Sequence, residues 1–199
     1  GLGDVYKRQI RYYAGVEAWF ARMNRYAEEQ GLRLLHYINS SGLREIIEGT
    51  SIAHEFKHIY ACSFLYNVDG IAYWPAVAVN YTNKTQFIFK INKGVESVFD
   101  SKLVNQYIEE DKRPVPFRRM IYVGDGTTDI PCMRLVKNSG GHSIAVYNPE
   151  IRNARRELNG LIRDNRVSHV CPADYSEGSE MDTLVKTIID KIEADHRLE

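Results

Sequence analysis

The chain has 199 residues, of which 44% are apolar and 26% charged, an ordinary composition for a globular domain large enough to bury a sizeable core. Lys plus Arg and Asp plus Glu each number 26, so the formal net charge is zero, which gives no electrostatic case for nucleic acid or an anionic membrane as the main partner. No apolar run approaches the roughly 20 residues of a membrane span. Cys62, Cys132 and Cys171 are scattered and lack CxxC spacing, which points to reduced thiols in a cytoplasmic protein rather than to disulfides or a structural zinc.

Residues 1–9, GLGDVYKRQ, have neither helical nor strand periodicity and resemble translated adapter sequence. They are set aside as a non-native leader, with residues 10–199 expected to form a single domain. Residues 16–30 read as a helix, with Val16, Trp19, Phe20 and Met23 at helical spacing and Gly31 as the stop. LRLLHYIN, 32–39, reads as a buried strand ending in Ser40, Ser41 and Gly42. A helix is expected over 43–49 and another over 52–60. ACSFLY, NVDG and IAYWPAVAV then form a hairpin with Asp69-Gly70 as the turn. A helix capped at Thr82 or Asn83 buries Phe87, Ile88 and Ile91 and ends at Gly94.

Residues 95–119 are polar and read as a short helix plus a surface connection. Met120–Val123 is a short apolar strand that turns at Gly124. Further expectations are a helix over 130–140, a strand over 142–147, an Arg-rich helix over 150–163, a strand over 167–171 and a final amphipathic helix starting near Met181. Alternation of strands and helices implies an α/β fold, a doubly wound, Rossmann-like and mostly parallel sheet.

The sharpest chemical signal is Gly124-Asp125-Gly126-Thr127-Thr128-Asp129, placed between an apolar strand and a helix. Ligand sites of parallel α/β sheets lie at the carboxyl ends of the strands, where this turn falls. Two carboxylates four positions apart across a tight turn can face one point. Mg²⁺ suits them, because it takes one or two protein carboxylates and leaves its other positions to water and phosphate. A plain Asp-Gly hairpin turn would explain Gly126 but neither the second Asp nor the helix that follows.

These residues resemble a known family. MIYVGDGTTDIPCM is similar to the fourth motif of the haloacid dehalogenase-type hydrolases, whose commonest members are phosphatases; LLHYINSSG resembles the second motif and NKTQFIFKINKG the third. The resemblance spans roughly residues 12–175 and is nearest the phosphoserine phosphatase-like branch. It implies that Ser40, with Ser41 and Gly42, binds the substrate phosphate, that Lys84 is the catalytic lysine, and that Asp125 and Asp129 serve Mg²⁺. All four sites would then converge at the carboxyl edge of the sheet. The physical roles are consistent with phosphoryl transfer, where catalysis is positioning and charge neutralisation. Each residue also has a plainer alternative. Ser40 or Ser41 could simply cap the next helix, and Lys84 could be a solvated surface lysine, with Lys90 and Lys93 as rivals for its role.

The family's first motif, Asp-x-Asp after an N-terminal strand, has no counterpart. Asp4 is the only acid before Glu17, and it lies in the leader without a preceding apolar strand. That motif would supply the carboxylate that forms an aspartyl-phosphate, together with its acid/base partner. The sequence-level expectation is therefore an N-terminally truncated core that lacks the central strand and helical cap. The parent would be a Mg²⁺-dependent hydrolase of a small-molecule phosphate ester, and this fragment would be inactive. Alternatives on the same scaffold are a phosphotransferase, a dehalogenase or a non-catalytic phosphate-binding domain. His54-Glu55-Phe56-Lys57-His58 matches the zinc-protease pattern HExxH, but a charged Lys57 before the second His and the absence of a third ligand argue for an ordinary surface helix. Arg152, Arg155, Arg156, Arg163 and Arg166 interleave with Glu150, Glu157 and Asp164, which fits a solvated face better than a nucleic-acid site.

Overall fold

The computed structural model describes residues 10–97 and 100–199, so the 1–9 leader lies outside the described residues. It is an α/β protein whose strands fall into two three-stranded sheets, one in each of two units. One unit takes in residues 36–115 and the other residues 12–35 and 116–199. The arrangement is compatible with a Rossmann-like α/β fold. Among the described residues no helix is long and apolar enough to cross a membrane.

In the unit of residues 36–115, strand β1 (His36–Leu43) leads through the short helix α2 (Arg44–Glu48) to β2 (Phe56–Tyr66) and β3 (Ala72–Val77). The sheet order is β1-β2-β3, with β1 parallel to β2 and β2 antiparallel to β3. The expected hairpin is present. Its turn is organised by Asn67, whose Oδ1 accepts from the Asp69 and Ile71 amides at 3.0 and 2.8 Å, while Gly70 supplies the positive φ of 75°. The outer half of the hairpin leaves Leu65, Tyr66, Tyr73 and Trp74 exposed. Helix α3 (Lys84–Lys93) buries Phe87, Ile88 and Ile91, as its periodicity predicts, and ends at Gly94 with φ 68°. Phe87 packs on Tyr60 of β2 with ring centroids 5.2 Å apart, and the Tyr60 hydroxyl donates to the Val95 carbonyl at 3.1 Å. A short helix α4 (Ser101–Asn105) follows in the expected connection.

The strand predicted over 32–39 instead runs from His36 to Leu43, because Gly31 and the Leu32 amide, which donates to the Ala27 carbonyl, are still closing the preceding helix. The helix predicted over 52–60 is a single turn at Ala53–Glu55 followed by strand β2. Parallel pairing of Phe56, His58, Ile59 and Tyr60 with β1 decides that segment, which is rich in aromatic residues that favour a pleated surface.

In the other unit, β4 (Ile121–Gly124), α5 (Ile130–Asn138), β5 (His142–Tyr147), α6 (Ala154–Arg163) and β6 (His169–Pro172) alternate, and the sheet β4-β5-β6 is wholly parallel. Its middle strand is apolar on both faces, with Ile144, Ala145 and Val146 all buried, as a parallel strand covered on two sides requires. Met133 of α5 packs with Ala145, Val167 and Val170. Arg152, Arg155, Arg156, Arg163 and Arg166 are all exposed, in keeping with a solvated face.

Helix α1 (Val16–Glu29) and the last helix α7 (Glu180–Leu198) belong to the same unit. They are joined through Asp182, whose side chain is 2% exposed and accepts from Arg22 Nε at 2.9 Å and Lys186 Nζ at 2.8 Å. The Gly178 amide donates to the same carboxylate at 3.0 Å. Burial alone would raise the Asp182 pKa, but the bonds from Lys186, Gly178 and Arg22 hold it below the ordinary carboxylate value. Asp182→Ala is expected to cost about 3–5 kcal/mol, because Arg22 and Lys186 lose their shared carboxylate and Arg22 keeps only the hydrogen bond to the Tyr175 carbonyl. A folded-state pKa that is depressed contributes stability above the unfolded value of roughly 3.9 and loses it as pH falls through the folded value. The gap in denaturation midpoint between wild type and Asp182→Asn should therefore be widest near neutral pH and close below about pH 4.

Candidate active site

The Gly124–Asp129 turn is built by its glycines. β4 ends at Gly124, residues 127–129 form one tight turn, and α5 begins at Ile130 with a proline in its first turn, where a missing amide costs nothing. A Cβ on Gly124 would stand 2.6 Å from Asp129 Cβ and 2.9 Å from its Cγ, so only glycine lets Asp129 fold back over the strand. Asp129 is buried at 7% exposure, and the Tyr122 hydroxyl donates to its Oδ1 at 2.7 Å. Burial, then the neighbouring Cys132 and Asp129, push the Tyr122 phenol pKa far above its usual value. Asp125 is exposed at the tip of the turn.

The segment after β6 stands beside this turn. Tyr175 packs edge-on against Trp19 with ring centroids 5.1 Å apart, and its amide donates to the Ala14 carbonyl at 2.8 Å. Burial and then the nearby Asp125 carboxylate push its phenol up to about 12, so it is a neutral donor at physiological pH. Sequence reasoning missed both tyrosines. Tyr122 had a usable signal, since it lies two places before Gly124 on the same strand face. Tyr175 had none, because its position depends on α1, far away in sequence.

Two oxygen donors on one short turn suit a hard cation such as Mg²⁺, which takes one or two protein carboxylates. Among the described residues there is no gathering of three or more His, Cys, Asp or Glu side chains able to hold a metal.

Ser40 and Lys84 lie in the other unit. Ser40 does not sit beyond a strand end as expected. It lies within β1, where the pairing with β2 is interrupted between Asn39 and Leu43. Its Oγ accepts from the Gly42 amide at 3.0 Å, a local turn that leaves Ser41 and Gly42 exposed. Lys84 opens α3 and is 5% exposed, an uncommon state for a lysine and not the solvated fate weighed against it. Asn39 Nδ2 donates to the Lys84 carbonyl at 3.1 Å, which brings the Ser40 segment of β1 to the start of α3. The rival lysines are committed at the other end of the helix. Lys90 Nζ donates to the Ser97 and Asp100 carbonyls at 2.8 and 3.1 Å, and Lys93 Nζ to those of Val104 and Gln106.

The HExxH segment is not a surface helix. His54 and Glu55 belong to the single turn and His58 to strand β2, so the one-turn spacing that would aim both imidazoles at one metal does not exist. His58 packs against Tyr60 with ring centroids 4.3 Å apart, and burial lowers its pKa.

No family model matches the chain. It is similar to an uncharacterized protein of Borreliella burgdorferi, with 28% identity over 204 aligned residues that cover 92% of this chain and 67% of that protein.

Proposed function

We propose that this chain carries the cation-binding and phosphate-binding residues of a Mg²⁺-dependent phosphomonoester hydrolase of the haloacid dehalogenase type, acting on a small phosphate ester. The observation that carries the reading is the strand–turn–helix at residues 121–138, with Asp125 exposed at its tip and Asp129 folded over Gly124. In this reading Asp125 and Asp129 would hold the cation. Bound Mg²⁺ would neutralise charge on the phosphate oxygens. Ser40 donates its hydroxyl to one phosphate oxygen, with the Gly42 amide donating to Ser40 Oγ and orienting it and the Ser41 amide as a second donor. Lys84, at a helix start where anions bind well, neutralises charge on another. A lysine only 5% exposed at such a place supports a role beyond solubility.

Calorimetry with Mg²⁺ tests the cation half. Weak binding is expected, because protein carboxylates supply only part of the coordination, and Asp125→Ala should abolish it. Mg²⁺ affinity unchanged by Asp125→Ala would remove the basis of the proposal.

A further inference from the structure

Alternate side chains of a strand point to opposite faces, so Tyr122 and Gly124 share one face of β4. Gly124 leaves that face open, and Asp129 occupies the space, with its Oδ2 3.0 Å from the place a Cβ on Gly124 would take and 3.8 Å from the equivalent place on Gly126. The carboxylate thus has two differently placed oxygens. Oδ1 receives the Tyr122 hydroxyl at 2.7 Å. Oδ2 lies toward the glycines of the Asp125 turn. The Tyr122 ring itself packs against the cluster of Met133, Ala145, Val167 and Val170. Its hydroxyl is therefore located by the core of the sheet rather than by the loop.

We propose that Tyr122 is a positioning residue that fixes the rotation of the Asp129 carboxylate and thereby raises the cation affinity of the 125–129 turn. This inference rests on the metal reading given above. The terminal torsion of an aspartate is broad, so an unanchored carboxylate loses freedom when it meets a cation. A phenol pinned by the core removes that loss in advance, as partners behind metal-site ligands generally do. A neutral donor also leaves the full negative charge of Asp129 available, which an arginine or lysine in the same place would cancel.

The test is a Mg²⁺ titration of the protein labelled with ¹³Cζ-tyrosine, alongside calorimetry of Tyr122→Phe. The ring is retained in that variant, so its packing against Met133 and Ala145 survives. The Tyr122 resonance should move with the same midpoint as the calorimetric binding curve, and Tyr122→Phe should bind Mg²⁺ about tenfold more weakly. A helix-anchoring role alone would move neither. If wild type binds Mg²⁺ through Asp125 but Tyr122→Phe binds equally well, or the Tyr122 resonance stays silent, the positioning role is overturned and the metal reading stands. If wild type takes up no Mg²⁺, both fall. Should Tyr122→Phe fail to fold, the wild-type resonance decides alone.

Discussion

A polypeptide of these 199 residues is expected to show no turnover of an aryl phosphate. In the proposed reading Ser40 and Lys84 bind phosphate and Asp125 binds a cation, and none of the three is a nucleophile. In the proposed family the attacking carboxylate and its acid/base partner would come from an Asp-x-Asp, and residues 10–199 contain no such motif. General acid–base catalysis alone contributes roughly 10²–10⁴-fold, and removing a nucleophile from an enzyme that acts as a unit costs on the order of 10⁶-fold. What remains is far below the background of a routine assay. The measurement is release of nitrophenol from its phosphate ester by the purified chain with excess Mg²⁺. Turnover that disappears in Asp125→Ala would show that a nucleophile is present among these residues and that the motif assignment is wrong.

What was legible in the sequence was local. Helix α3, the hairpin at Asn67–Ile71 and the Gly124–Asp129 turn all announce themselves within a dozen residues, by period, by turn chemistry or by glycine. What was missed depends on contacts distant along the chain. Residues 56–60 have a mixed pattern, and only pairing with His36–Asn39 makes them a strand. The partnership of Tyr122 with Asp129 arises because a glycine between them lets the chain fold back, a consequence of geometry rather than of residue type. The burial of Lys84 was equally hidden, since lysine at a helix start reads as solvated until the opposing strand is in place.

The same dependence on distant pairing leads to the last expectation, that the chain folds incompletely or aggregates when expressed alone. β1 pairs only with β2 and β4 only with β5 among the described residues, so each is the end strand of its sheet. β4 has the sequence of an interior strand, with Ile121, Tyr122 and Val123 apolar on both faces and no charge or proline to guard an edge, whereas β1 is apolar only at Tyr37 and Ile38 before Asn39, Ser40 and Ser41. The outward-facing amides and carbonyls of such a strand have two fates. If buried without partners, each costs roughly 1–3 kcal/mol, and several together approach the roughly 5–15 kcal/mol that holds a domain folded. If left to water, they form a template for pairing with another chain. In the proposed family a further strand bears the nucleophile, and a strand added to an open edge would satisfy these groups. Adding such a strand upstream is expected to raise solubility and produce a single sharp thermal transition, with the amides of β1 and β4 becoming protected from hydrogen exchange. If the chain alone, as a monomer, already melts sharply with those amides protected, both edges are satisfied without a further strand, and the expectation fails.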